Sequence, residues 1–148
     1  MGTYSMRRTV KTPVRCKVVK AVKLTLPMPP SVNHYWLHIV IKGQARVATS
    51  ADAKRFRTEV YAAVLGSGSP RVEGRLEVRI VIRHKANFAF DLDNFAKSAL
   101  DAIMHAHVFE DDSQIDRLVL ERGSKCPPEG RIEVEIRQIA SDVPLFEE

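Results

Sequence analysis

Asp91, Asp93, Asp111 and Asp112 stand close together in the sequence, with Lys97 and Asp101 between the two pairs, in the stretches F-D-L-D-N-F-A-K and E-D-D-S-Q. Clustered carboxylates repel and raise one another's pKa unless something positive sits among them. The chain as a whole is basic, with a net charge of +5. Aspartates gathered in a basic chain suit a divalent cation, which takes oxygen ligands, water and substrate phosphate oxygens. A cation held in that way can activate water and neutralise charge on a phosphodiester. Lys97, one helical turn beyond Asp93, would add a fixed positive charge beside it. The competing structural account is plain. Asp93 caps a helix, Asp91 is a solvated turn residue, and Lys97 is a surface partner of Asp93 or Asp101. Asp91 and Asp93 alone would favour that account; the neighbours weigh against it.

The elements that must position these groups are legible as periodicities. Residues 18–26 alternate as a strand and end at Pro27-Met28-Pro29-Pro30. Thr49-Ser50-Ala51-Asp52 starts a helix with Phe56, Val60, Ala63 and Val64 on one face, closed by the Gly/Ser run before Pro70. Leu76, Val78, Ile80 and Ile82 alternate with polar residues in a second strand. A helix over about 93–106 buries Phe95, Ala99, Ala102, Ile103 and Ala106. Strands over 115–122 and 131–139 follow. The order β-α-β-α-β-β predicts an α+β domain, a small mixed sheet with two helices on one face. Asp112 would return to the helix start only if the strand after it pairs beside the strand before the helix.

Bulk properties bound the rest. A chain of 148 residues makes one domain with an ordinary core. We expect a basic arm over 1–17, the folded domain over 18–140 and an acidic tail over 141–148. The arm is read as a loose terminus, with a phosphate-gripping role as the alternative. Cys16 and Cys126 are too far apart for a zinc knuckle or disulfide framework and fit a reducing cytoplasm. No apolar run approaches the length of a membrane span, so no membrane partner is expected. The sequence pI of about 9.4 favours polyanionic partners. Asn33, His34 and Tyr35, Lys85 and Asn94 are the expected DNA contacts. For Tyr35 and Trp36 a place roofing the core is an equal alternative. His105 and His107 read as a helix-exit pair with no ligand role.

Four motifs occur in one order: P-M-P-P-S-V-N over 27–33, D-L-D-N-F-x-K over 91–97, A-L-D-A over 99–102 and F-E-D-D-S-Q-I over 109–115. Together they resemble the RusA family of Holliday-junction resolvases, from about residue 23 to residue 139. The D-x-D-N-x-x-K element is weak alone; with the proline loop and D-D-x-Q it is specific. The resemblance implies a dimeric, Mg²⁺-dependent endonuclease of bacteria and their prophages, with Mn²⁺ as a possible substitute, acting on four-way junction DNA. It implies Asp91, Asp93 and Asp112 as catalytic, metal-binding carboxylates and Lys97 as a catalytic residue. Asp111 is the less favoured ligand of its pair, and Asp101 a helix-face partner of Lys97. A junction is cut on two strands with approximate two-fold symmetry, which a C₂ dimer matches. One departure stands out: Phe90 precedes the first aspartate where family members often carry arginine. A non-catalytic DNA-binding dimer and an RNA-binding accessory protein are the competing classes. The first leaves an intact acidic set without use; the second leaves the aspartates unexplained.

Overall fold

The computed structural model describes residues 17–87 and 89–140. The expected arm, but for its last residue, and the acidic tail lie outside them. Twelve short elements follow one another. They are β1 (Lys17–Val18), β2 (Ala21–Pro27), α1 (Val32–Tyr35), β3 (Trp36–Ile41), β4 (Gln44–Thr49), α2 (Ala51–Gly66), β5 (Pro70–Arg71), β6 (Leu76–Arg83), α3 (Asp93–His105), a 3₁₀ turn (Asp112–Gln114), β7 (Ile115–Arg122) and β8 (Arg131–Gln138).

The main sheet has the order β2-β8-β6-β7. β8 runs antiparallel to β2 and to β6, whereas β6 and β7 are parallel. The sheet is therefore mixed, as expected. Alternation gives it one apolar face: Leu24, Leu26, Leu76, Val78, Ile80, Ile82, Ile132, Val134 and Ile136 are all buried. Against that face pack Phe56, Val60 and Val64 of α2 and Ala99, Ala102 and Ile103 of α3. The opposite face carries cross-strand ion pairs, among them Arg79 with Glu121, Arg83 with Glu133, and both Arg117 and Arg137 with Glu77. Charges of opposite sign across neighbouring strands let that face stand in water without a cover. Ser50 caps α2 by accepting from the Ala53 amide at 3.1 Å, as its hydroxyl predicted.

Two features were not legible as strands. β3 and β4 form a separate antiparallel hairpin closed by Lys42 and Gly43, with φ of 50° and 75°. Two successive left-handed residues make the two-residue turn that matches strand twist, and glycine supplies one of them without a Cβ clash. The short β1–β5 pair is parallel. The expected six-element order thus gains a hairpin, a small pair, the one-turn helix α1 and a 3₁₀ turn without changing the central sheet.

The parallel β6–β7 pairing has one consequence for the carboxylates. β7 starts beside Leu76, at the beginning of β6, and ends with Arg122 beside Ile82. A parallel return needs a crossover that runs the length of the strands, and α3 is that crossover. Its 13 residues span about 20 Å at the usual helical rise. Asp91 and Asp93 lie at its start and Asp112 beyond its end. β7 does pair beside β6, but its parallel sense keeps Asp112 away from the helix start.

The core prediction concerns Ile80, which is fully buried at the centre of the sheet. Ile80→Ala should lower the unfolding free energy by about 3 kcal/mol in urea denaturation, the usual cost of a large-to-small change that leaves a cavity.

Candidate active site

The capping role of Asp93 fails on the geometry of the helix start, while Asp91 does stand exposed in the turn before it. Leu92, not Asp93, is the cap residue of α3; it has helical φ and ψ, and no side chain caps the helix. The turn closes through backbone, with the Asn94 amide donating to the Asp91 carbonyl at 3.3 Å and the Phe95 amide to the Leu92 carbonyl at 3.3 Å. Both carboxylates stay exposed, and neither makes an ion pair among the described residues. Asp93 sits in the first turn, where the helix dipole favours negative charge.

The D-D-x-Q element divides its residues between architecture and surface. Asp111 caps the 3₁₀ turn by accepting from the Ser113 amide at 3.2 Å and from the Ser113 hydroxyl. Those bonds hold its carboxyl below the usual carboxylate range. Gln114 is buried. Its Oε1 accepts from the Glu110 and Asp111 amides at 2.9 and 3.0 Å, and its Nε2 donates to the Gly74 carbonyl at 2.9 Å. Asp112, exposed like Asp111, is the carboxylate of the pair whose side chain makes no hydrogen bond or ion pair among the described residues. Asp111 is thus a cap and not a candidate ligand.

A cavity of about 520 Å³ runs along α3 and β7, lined by Asp93, Asn94, Lys97, Asp101 and Asp112 with an apolar floor that includes Leu100 and Leu120. It gathers four of the expected site residues, namely Asp93, Asn94, Lys97 and Asp112. Asp91 stands outside its lining. Among the described residues no group of three or more His, Cys, Asp or Glu side chains is placed to hold one metal ion. Asp93 and Asp112 share this cavity, whereas Asp91 stands apart from it. The donor chemistry nonetheless fits a hard divalent cation. Asp91 and Asp93 offer exposed carboxylate oxygens, and Mg²⁺ commonly takes only one or two carboxylates beside water and phosphate oxygens.

Lys97 is exposed and makes no ion pair among the described residues. The expected Asp101 partnership is corrected. Asp101 accepts from Arg57 of α2 at 2.7 Å and from the Tyr35 hydroxyl, and its backbone carbonyl lies 2.7 Å from His105 Nδ1. A half-buried carboxylate with a guanidinium and a phenol on it has no need of a lysine, so the ammonium stays available.

The same network corrects the reading of Tyr35 as a DNA contact. Tyr35 is 2% exposed. Its hydroxyl accepts from Arg57 Nε at 2.7 Å, and Trp36 packs edge-on at 4.9 Å. It roofs the core and joins α1, α2 and α3. Asn33 and His34 are exposed on α1, next to the cavity-lining Val32. Lys85 is exposed on the loop after β6. The proline loop is tied to α3 by buried Ser98, whose hydroxyl donates to the Pro30 carbonyl at 2.7 Å. Arg57 and Ser98 carry no sequence signal of their roles, because both depend on partners at least 22 residues away. His107 takes a positive φ of 64° at the helix exit, three residues before the acidic element.

Comparison with known proteins bears on the whole domain. The family model for the endodeoxyribonuclease RusA matches residues 27–137. A crossover junction endodeoxyribonuclease of Enterobacteria phage HK97 is 29% identical over 126 residues, covering 80% of this chain and 96% of its own. The protein of that name from Escherichia coli K12 is 32% identical over 127 residues, with the same coverage. That of Enterobacteria phage 82 is 31% identical over 126 residues.

Burial raises the Tyr35 phenol to about 12, with the Asp101 hydrogen bond acting in the same direction. The unfolded phenol ionises near 10. The stability tied to this group is therefore complete below pH 10 and is lost as pH rises through 12. Thermal melts between pH 9 and 12 should show a fall that Tyr35→Phe makes shallower, and absorbance titration should lose its highest-pH tyrosinate phase in the variant.

Proposed function

The chain belongs to the RusA family of endodeoxyribonucleases, and from that premise we propose that it resolves four-way DNA junctions by paired, Mg²⁺-dependent cleavage, with Asp91, Asp93, Asp112 and Lys97 as the catalytic residues. The observation that carries the site assignment is a division of labour. Asp101 and Asp111 are spent on structural bonds, while Asp91, Asp93, Asp112 and Lys97 are exposed and have none among the described residues. Exposed carboxylates that do nothing for the fold are what a site for an external cation requires.

Asp91 and Asp93 would hold the Mg²⁺, with Mn²⁺ as a substitute. The bound ion would supply Lewis-acid charge neutralisation and a more acidic water. The chain's own residues do the rest. Lys97 places an ammonium one helical turn from Asp93, where it offsets negative charge building on the phosphate. Asn94, in the same cavity, offers an amide to the strand. Asn33, His34 and Lys85 extend the polar surface toward the DNA. The Arg57–Asp101–Tyr35 network fixes the turn of α3 that follows Lys97.

Asp112 lies beyond the far end of α3. A C₂ dimer supplies two cutting centres for two strands. It also offers the simplest completion of the acidic set, with Asp112 of one copy facing the Asp91–Asp93 end of the other. Support for a covered surface comes from the β3–β4 hairpin, where Val40 and Val47 are 73% and 60% exposed. No helix among the described residues is long and apolar enough to cross a membrane.

With Mg²⁺, the wild-type chain should nick a synthetic four-way junction symmetrically and leave linear duplex intact. Asp93→Asn should abolish nicking and keep binding, and Lys97→Ala should slow it by about a hundredfold or more. Binding without nicks in Mg²⁺ or Mn²⁺ would favour the non-catalytic dimer. The shared site has its own check. Asp93→Asn and Asp112→Asn chains, each inactive alone, should regain nicking on one strand when mixed and allowed to exchange, because one mixed site is then intact. No recovery on confirmed exchange would place the whole set within one chain.

A further inference from the structure

A second cleft opens at the carboxyl ends of the parallel strands β6 and β7, next to Asp91 but outside the α3 cavity. It measures about 370 Å³ and is bordered by His84, Asn87, Phe90, Arg122 and Lys125, with no carboxylate among the described residues of its lining. Arg122 ends β7 and is exposed. Its guanidinium carbon lies 4.2 Å from the centre of the Phe90 ring, and one of its N–H groups donates to the Phe90 carbonyl at 2.7 Å.

Arg79, Arg83, Arg117, Arg131 and Arg137 of the same sheet each sit on a glutamate. Arg122 has no carboxylate within ion-pair distance among the described residues. A guanidinium has five N–H donors, and the bond to Phe90 uses one. The planar fork is held by stacking on one side and by a backbone carbonyl at one edge, so it loses little freedom when it captures an anion. The loop ahead of Asp91 carries Phe90 and no cation at that point. Phe90 provides instead the platform on which a cation from the next strand rests.

We propose that this cleft is a phosphate-binding subsite for the DNA backbone, with Arg122 as its principal contact and Lys125 as a second positive charge. The subsite deepens the nuclease reading and rests on it. It would grip a phosphate beside the one that faces Asp91 and Asp93, and so hold the strand in register. Arg122 acts on the substrate, and through the Phe90 carbonyl it also steadies the backbone that presents Asp91.

The test is a salt series of binding affinities for a labelled four-way junction and a labelled duplex, without divalent ions so that nothing is cut. Each phosphate contact contributes close to one unit to the slope of log affinity against log salt. Arg122→Ala should weaken junction binding about tenfold and reduce the slope by about one. Arg122→Gln, which keeps a donor for the Phe90 carbonyl but removes the charge, should give the same slope loss with wild-type thermal stability. Arg122→Lys should keep the slope and recover only part of the affinity, because an ammonium lacks the stacked fork. Arg79→Ala removes one charge from the outer sheet face and should leave the slope unchanged. An unchanged slope in Arg122→Ala and Arg122→Gln would overturn the subsite, as would an equal loss in Arg79→Ala. The two readings separate cleanly. A wild-type chain that prefers the junction while the Arg122 variants keep its slope sinks the subsite alone. A wild type with no junction preference, whose Arg122 variants still lose slope, keeps the subsite and sinks junction resolution.

Discussion

The parallel pairing of β6 with β7 is the constraint on which the rest of this molecule depends. Parallel neighbours cannot be joined by a tight turn, so the chain must cross the sheet between them. α3 makes that crossing, and its apolar stripe buries it on the sheet's inner face. The crossing places the Asp91–Asp93 pair at one end of the helix and the D-D-x-Q turn at the other. It also brings the end of β7, and with it Arg122, back beside the end of β6. The acidic pair, Lys97 and the basic cleft thus share one region because a helix had to start there.

Charge is handled differently on the two sides of the sheet. On the outer face, arginines and glutamates alternate across strands and cancel. At the carboxyl end of β7 and at the start of α3, Arg122, Asp91, Asp93 and Lys97 make no ion pair among the described residues. Exposed ion pairs contribute little to stability, so the outer ladder's main effect is to leave that face electrically quiet. A polyanion is then drawn to the end of the sheet where charge is uncompensated, which is also where the acidic pair would hold the proposed cation.

The interior network of Arg57, Asp101 and Tyr35 shows how the fold keeps the reactive groups free. Had Asp101 no guanidinium of its own, Lys97 one turn away would be the natural partner for it. Arg57 reaches from α2 and takes that place. Gln114 does comparable work at the other end of α3, where it fixes two backbone amides and leaves Asp112 at the surface. In both places a buried or half-buried polar residue is fully engaged so that an exposed neighbour need not be.

Much of this was legible in the chain because it is local. Alternation marked β2, β6 and β8, the 3.6-residue stripe marked α2 and α3, and Ser50 marked a helix start. Each depends on neighbours a few residues apart. The acidic motifs and the proline loop marked the family for the same reason. The hairpin was missed because β3, W-L-H-I-V-I, is apolar on both faces and β4, Q-A-R-V-A-T, is short and built of small and polar residues. Tyr35 was open between two roles because a phenol suits a wet contact and a satisfied interior alike. Composition and periodicity alone could not say which strand would lie beside which, or in which sense. That is settled by long-range packing: the sense of β7 decides where Asp112 goes, Arg57 decides that Asp101 is unavailable, and Phe90 and Arg122 meet only because two strand ends do. Local patterns follow from backbone geometry and side-chain polarity, whereas the partners of a charge follow from the path of the whole chain.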